Sequence, residues 1–138
     1  MKQKLKCILL IDDDEATNFL HKILIDKEGY TEKCVAVQSG KEALDYLKSK
    51  EDGEQPQPEL IFLDINMPVM NGWEFLEAYN KLDSEQQGHI VVVMLTTSLN
   101  PDDKDKAATI DSIAAFRNKP LTIEMVNELI EEHFTDRL

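Results

Sequence analysis

The sequence predicts an α/β protein built on a doubly wound parallel sheet, and three observations carry that expectation. Five short apolar runs, rich in β-branched residues, alternate along the chain with segments of helical periodicity. The first, third and fourth runs are apolar at successive rather than alternate positions, the pattern of strands buried on both faces. Strict alternation of strand and helix calls for right-handed crossovers, which place helices on both sides of one sheet.

Each element follows in order. A first strand is expected over residues 7–11, and Ala16, Phe19, Leu20, Ile23 and Leu24 then mark the apolar stripe of a helix. The second strand is expected over residues 32–37. Ser39 and Glu42 follow it as a capping box ahead of Ala43, Leu44 and Leu47. Residues 51–59, with Gly53, Pro56 and Pro58, read as a surface loop before a third strand at 60–63. Phe75, Leu76, Tyr79 and Leu82 mark a third helix, and residues 90–95 a fourth strand. Asn100-Pro101 has the form of an N-cap followed by proline at the first helical position. The helix behind it offers only Ala107, Ala108 and Ile110 as apolar residues. A fifth strand is expected over residues 112–116. Thr122 caps a last helix that would bury Ile123, Val126, Leu129, Ile130 and Phe134.

The 138 residues suit one domain spanning 1–138, and 42% hydrophobic with 30% charged residues is a globular composition. Such a chain buries roughly two thirds of its unfolded surface, enough for a core of its own. Fifteen Lys and Arg against 27 Asp and Glu give a net charge of -12, a field that repels phosphate backbones and anionic lipid. Direct nucleic-acid binding and membrane insertion are therefore not expected. No apolar run approaches the ~20 residues of a spanning helix. The basic start, Met1 to Lys6, leads into too short an apolar stretch for a signal peptide, so a cytoplasmic location is expected. Cys7 and Cys34 stand alone in apolar segments and read as buried, reduced thiols. His21, His89 and His133 fit no common metal spacing and default to surface or helix-face roles.

In a parallel sheet the residues just past each strand gather on one edge, where ligands of open α/β sheets bind. Asp12, Asp13 and Asp14 follow the first strand, Asp64 the third, Thr96, Thr97 and Ser98 the fourth, and Lys119-Pro120 the fifth. After the second strand, Gln38-Ser39-Gly40 reads as a helix cap only. Carboxylates without histidine or cysteine suit a hard cation, and Mg²⁺ is the cytoplasmic candidate. A phosphoryl group brought to that ion would find a hydroxyl at Thr96 and an ammonium at Lys119. The set has the form of a phosphoryl site with aspartate as acceptor. Taken singly, the same residues are ordinary caps, turns and surface charges; falling together on one edge is what gives them weight.

Ile11-Asp12-Asp13, Leu63-Asp64-Ile65-Asn66-Met67-Pro68 with Asn71-Gly72, Thr96 and Lys119-Pro120 occur in that order at successive strand ends. With these motifs the chain resembles, over essentially its whole length, the receiver domain of bacterial two-component response regulators, of the stand-alone CheY-like kind. The resemblance implies a flavodoxin-like (βα)5 fold with sheet order 2-1-3-4-5. It implies that Asp64 is the phosphoacceptor. Asp13 and Asp64 would hold Mg²⁺ through their carboxylates and Asn66 through its backbone carbonyl, with Asp12 acting mainly through bound water. Thr96 would bond a phosphoryl oxygen, and Lys119 would pair first with the carboxylate and then with the phosphoryl group. Thr96 and Phe116 would form the switch; tyrosine is common at the second position, and phenylalanine removes its hydroxyl. Asp14 extends the acid pair and reads as the first helix's cap. The loop at 51–59 is longer than in the shortest members. The Lys119-Pro120 bond is expected to be cis, as is common in the family, since the chain must reverse tightly between the fifth strand and Thr122.

The function so implied is a switch receiving phosphoryl from a sensor histidine kinase or phosphotransfer protein and signalling to another, unidentified protein. It is no enzyme beyond self-catalysed phosphoryl uptake and hydrolysis. A receiver-fold interaction module that never phosphorylates is the alternative, against which Asp64, Thr96 and Lys119 all stand. An aspartyl-phosphate phosphatase would want a second aspartate where Asn66 stands, and a flavin carrier a Ser/Thr/Gly-rich loop where three acids follow the first strand.

Overall fold

A computed structural model describes residues 4–49, 58–82, 91–97 and 99–135. Along the chain run β1 (Ile8–Ile11), α1 (Glu15–Glu28), β2 (Cys34–Val37), α2 (Gly40–Lys48), β3 (Leu60–Leu63), α3 (Gly72–Tyr79), β4 (Val91–Thr96), α4 (Pro101–Ala108), β5 (Ile113–Asn118) and α5 (Ile123–His133). The strands pair in parallel in the order β2-β1-β3-β4-β5, the flavodoxin-like arrangement.

Side chains alternate across a strand, so each strand feeds two cores. Ile8, Leu10, Leu60, Phe62, Val93 and Leu95 meet Ile25 of α1 and Val126, Leu129 and Ile130 of α5 on one face. Leu9, Ile11, Ile61, Leu63, Val92 and Met94 meet Ala43, Leu44 and Leu47 of α2 and Phe75, Leu76 and Tyr79 of α3 on the other. Strands sandwiched this way have no polar face, which is why their sequences show no alternation.

The strand ends differ from the expected spans by one or two residues, except at β3. Residue 90 and most of the expected 51–59 loop lie outside the described residues. β5 runs on to Asn118 because Arg117 and Asn118 pair with Leu95 and Thr96 in the ladder. Their polarity hides the continuation. α3 stops at Tyr79, and Leu82 packs on the core from the turn beyond.

Caps set the helix starts, each worth ~1 kcal/mol. Asp14 accepts the Ala16 N–H, Asn100 that of Asp102 with Pro101 behind it, and Thr122 that of Met125. Ser39 accepts the Glu42 N–H as expected, but the Glu42 carboxylate accepts from Gln38 rather than from Ser39. The reciprocal capping box is instead at α3, between Asn71 and Glu74.

The largest departure is α1. Most of the expected apolar stripe faces outward: Phe19 and Leu20 are each 63% exposed and Ile23 47%, while Leu24 packs partly buried on the core and Asn18, His21 and Ile25 are buried. The buried residues follow i, i+3, i+7, a valid helical face with polar groups in two of its three places. Hydrogen-bond partners at the sheet edge outweigh apolar burial there. Cys7 and Cys34 are buried thiols, and burial pushes that of Cys34 up to about 12. No helix among the described residues is long and apolar enough to cross a membrane.

Candidate functional site

Backbone pairing places the chemical groups side by side. The Asp12 N–H donates to the Val37 carbonyl (3.2 Å), the Asp64 N–H to Ile11 (2.9 Å) and the Lys119 N–H to Thr96 (2.8 Å). Each residue therefore leaves its strand at the same edge. β1 and β3 are neighbours there, at the point where the strand order reverses.

Asp12, Asp13 and Asp64 each bring a carboxylate oxygen within 4.8 Å of the other two. Asp12 and Asp64 are buried and Asp13 is exposed. The Lys119 ammonium binds Asp12 Oδ2 and lies 3.4 Å from Asp64 Oδ1. The Lys119-Pro120 bond is cis, as the sequence led us to expect. Asp12 Oδ1 accepts the Asp14 N–H at 2.9 Å, so both oxygens of Asp12 have partners.

The electrostatics follow from burial and crowding. Burial pushes the Asp64 carboxyl up to about 6; Lys119 pulls it down, and Asp12 and Asp13 push it further up. Burial opposes the charge on Lys119, but the hydrogen bond and charge of Asp12, and then Asp64, outweigh it and hold the ammonium above its ordinary range. Two like charges ~4 Å apart repel by ~4 kcal/mol at an effective dielectric of about 20. One ammonium leaves two of the three acid charges unbalanced, and a divalent cation cancels that remainder. The cluster is all oxygen, with no histidine or cysteine in it among the described residues, and so fits a hard cation such as Mg²⁺.

The other expected residues sit on or just past β4, on β5 and in the loop after β3. Thr96 ends β4 and is fully buried, Thr97 is exposed, and Ser98 lies outside the described residues. Asn66 is exposed in the loop after β3. Phe116 is half-buried on the edge strand β5, in register with Met94, and packs against the α2–α3 core. In the same β3–α3 loop, Val69 is fully exposed at φ 68°, a left-handed conformation.

Three contributions come into view only with the fold, although the Asn71-Gly72 motif itself stands out in the sequence. Gly72 starts α3 so close to the end of β3 that a Cβ would stand 2.5 Å from the Asp64 carbonyl oxygen. Asn18 donates from Nδ2 to the carbonyls of Asp12 (2.8 Å) and Val37 (3.0 Å), tying α1 to the ends of β1 and β2. His21 accepts the Leu121 N–H, and burial holds its imidazole below the usual range, against the pull of Asp12. For Asn18 and His21 the available signal was the i, i+3 spacing of two polar residues that flank the apolar Phe19 and Leu20. Beside the cluster, a cavity of about 510 Å³ opens between Leu20 and Leu24 of α1 and the Lys119–Leu121 turn.

The response regulator receiver domain model matches residues 8–131. The chain is 34% identical to the "Probable methanogenesis regulatory protein FilR2" of Methanothrix harundinacea, over 91% of this chain and 79% of that protein. It is 27% identical to the polar-differentiation response regulator DivK of Brucella ovis, over 95% of this chain and 98% of the relative. The crystal structure of a two component response regulator from Cytophaga hutchinsonii superposes with a TM-score of 0.85 at 32% identity, over 96% of this chain and 99% of the other.

Proposed function

Because the chain belongs to the response regulator receiver domain family, we propose that it is a phosphoacceptor switch loaded by the phosphohistidine of a sensor histidine kinase or phosphotransfer protein. Receiver domains are signalling switches rather than conventional enzymes, and uptake and hydrolysis of the phosphoryl group are here self-catalysed. The observation that carries the reading is Asp64 itself: buried, at the sheet edge, 3.4 Å from the Lys119 ammonium and within 4.8 Å of two further carboxylates.

The chemistry is a nucleophilic displacement at phosphorus. With its carboxyl pushed up to about 6, Asp64 is mostly ionised at neutral pH. One carboxylate oxygen attacks; the O–P bond forms as the P–N bond breaks, and the imidazole leaves and takes a proton from solvent. Asp13 and Asp64, with the Asn66 carbonyl, would hold Mg²⁺ directly, and Asp12 mainly through water. The two existing partners of Asp12 support that division, since Asp13 is the less committed acid. Bound there, Mg²⁺ supplies neutralisation of the charge that develops on the phosphoryl oxygens. Lys119 moves from carboxylate to phosphoryl oxygen, and the Thr96 hydroxyl donates to another.

Ordering Thr96 and Phe116 around the new group biases a two-state equilibrium, which a downstream protein reads through contacts on the α4–β5–α5 side. Any donor must bring its histidine to Asp64, so it covers the rim, where Phe19, Leu20 and Ile23 already expose apolar surface. The test is intact-mass measurement after incubation with acetyl phosphate. Wild type gains one phosphoryl group with Mg²⁺ and none with chelator. Gain independent of the cation, or none in either case, sinks the reading.

A further inference from the structure

His21 is 6% exposed, and nothing in the phosphoryl-transfer scheme uses it. Its Nε2 accepts the backbone N–H of Leu121 at 3.3 Å, across 100 residues of sequence. Leu121 is buried, follows the cis Lys119-Pro120 bond and precedes α5. Its N–H therefore has neither strand nor helix to satisfy it, and a buried N–H needs an acceptor. The acceptor is a neutral imidazole carrying its proton on Nδ1. α1 is held in turn to the ends of β1 and β2 by Asn18, one turn before His21.

We infer that His21 is a positioning residue: it anchors the Lys119-Pro120-Leu121 turn to α1 and thereby sets the Lys119 ammonium between Asp12 and Asp64. The placement stands on the geometry alone; its catalytic consequence rests on the reading of Asp64 as phosphoacceptor. The chain of contacts is short. Lys119 leaves β5 with its own N–H on the Thr96 carbonyl, and two residues later the backbone is held again by His21. Between those two points the lysine has little freedom to swing away from the acids. Releasing the second point lets the ammonium wander, and a displacement of about 1 Å in a reacting group costs up to ~10²-fold in rate.

Three substitutions and two readouts test this. His21→Leu removes the acceptor, His21→Gln replaces the imidazole nitrogen with an amide oxygen that can also accept, and Lys119→Met removes the group acted through. Phosphoryl uptake from acetyl phosphate at saturating donor and Mg²⁺ should fall about tenfold in His21→Leu, recover in good part in His21→Gln, and fall no further when His21→Leu is added to Lys119→Met. An equal drop in the Lys119→Met background would mean that His21 acts only on general structure, and overturns the proposal. The second readout needs no phosphodonor. A 15N–15N coupling across the hydrogen bond joins His21 Nε2 to the Leu121 amide in wild type. The slowly exchanging Lys119 ammonium signal persists in wild type and His21→Gln but is lost in His21→Leu. Absence of the coupling, or an ammonium signal unchanged in His21→Leu, also overturns it. Should wild type take up no phosphoryl group at all, the phosphoacceptor reading fails and these spectra alone decide the placement.

Discussion

The Lys119 ammonium bridges two strand ends, bound to Asp12 and 3.4 Å from Asp64 Oδ1. It occupies the position of a counter-ion for buried carboxylates that would otherwise repel each other. Removing one partner of a buried pair is far more costly than the pair's net worth, because it strands the other charge. Lys119→Met should therefore destabilise the protein in chelator by about 3 kcal/mol or more, and Mg²⁺ should restore much of the loss. Calorimetric melting with and without Mg²⁺ checks this. Equal stability of the two proteins in chelator would remove the lysine's structural role.

The Asp64 carboxyl gives a pH signature. Its folded pKa of about 6 lies above the ordinary 3.8, so the folded state holds the proton more tightly than the unfolded one. Stability in Mg²⁺-free buffer consequently falls as pH rises from 3.8 through about 6, and stays lost at neutrality. Asp64→Asn abolishes this term. The variant should be more stable than wild type at pH 7.5 by up to about 3 kcal/mol, with the advantage vanishing near pH 4. Chemical denaturation at both pH values measures it, and a less stable variant at neutral pH would contradict the burial argument.

Asp12 and Asp13 should differ as metal ligands. Asp12 already serves Asp14 and Lys119, whereas Asp13 is exposed at the edge of the cluster. Asp13→Ala should weaken Mg²⁺ binding more than Asp12→Ala, read by titration calorimetry. Equal losses would erase the distinction between direct and water-mediated ligand.

Val69 stores backbone strain. A β-branched residue at φ 68° is held in a region that costs ~1–3 kcal/mol, and its fully exposed side chain gains nothing from the protein. Val69→Gly should relieve it and raise stability by about 1 kcal/mol, less the entropy that glycine loses on folding. A drop in melting temperature would refute the strain.

Much of this architecture was legible because strands and caps write themselves locally. A run such as Leu60–Leu63 is apolar at every position since both faces are covered, and Asn100-Pro101 or Thr122 announces a helix start through chemistry within three residues. The acids, Thr96 and Lys119 were legible for a similar reason: a parallel sheet brings strand ends to one edge, so position along the chain predicts proximity. α1 was misread because periodicity cannot say which of two faces is buried when one is apolar and the other is satisfied by distant backbone groups. The partners of Asn18 and His21 lie at Val37 and Leu121, far along the chain. The need for glycine at position 72 was hidden in the same way, since only the folded chain brings the Asp64 carbonyl against it.

The central claim, that Asp64 is the phosphoacceptor, is tested most directly by trapping the product. Protein incubated with acetyl phosphate and Mg²⁺ is treated with borohydride, which reduces an aspartyl phosphate to homoserine, and the modified residue is located by peptide mass spectrometry. Homoserine is expected at position 64 and nowhere else, dependent on Mg²⁺ and reduced in yield in Lys119→Met. Homoserine at position 12 or 13, or none under conditions that label a known receiver domain, would contradict it.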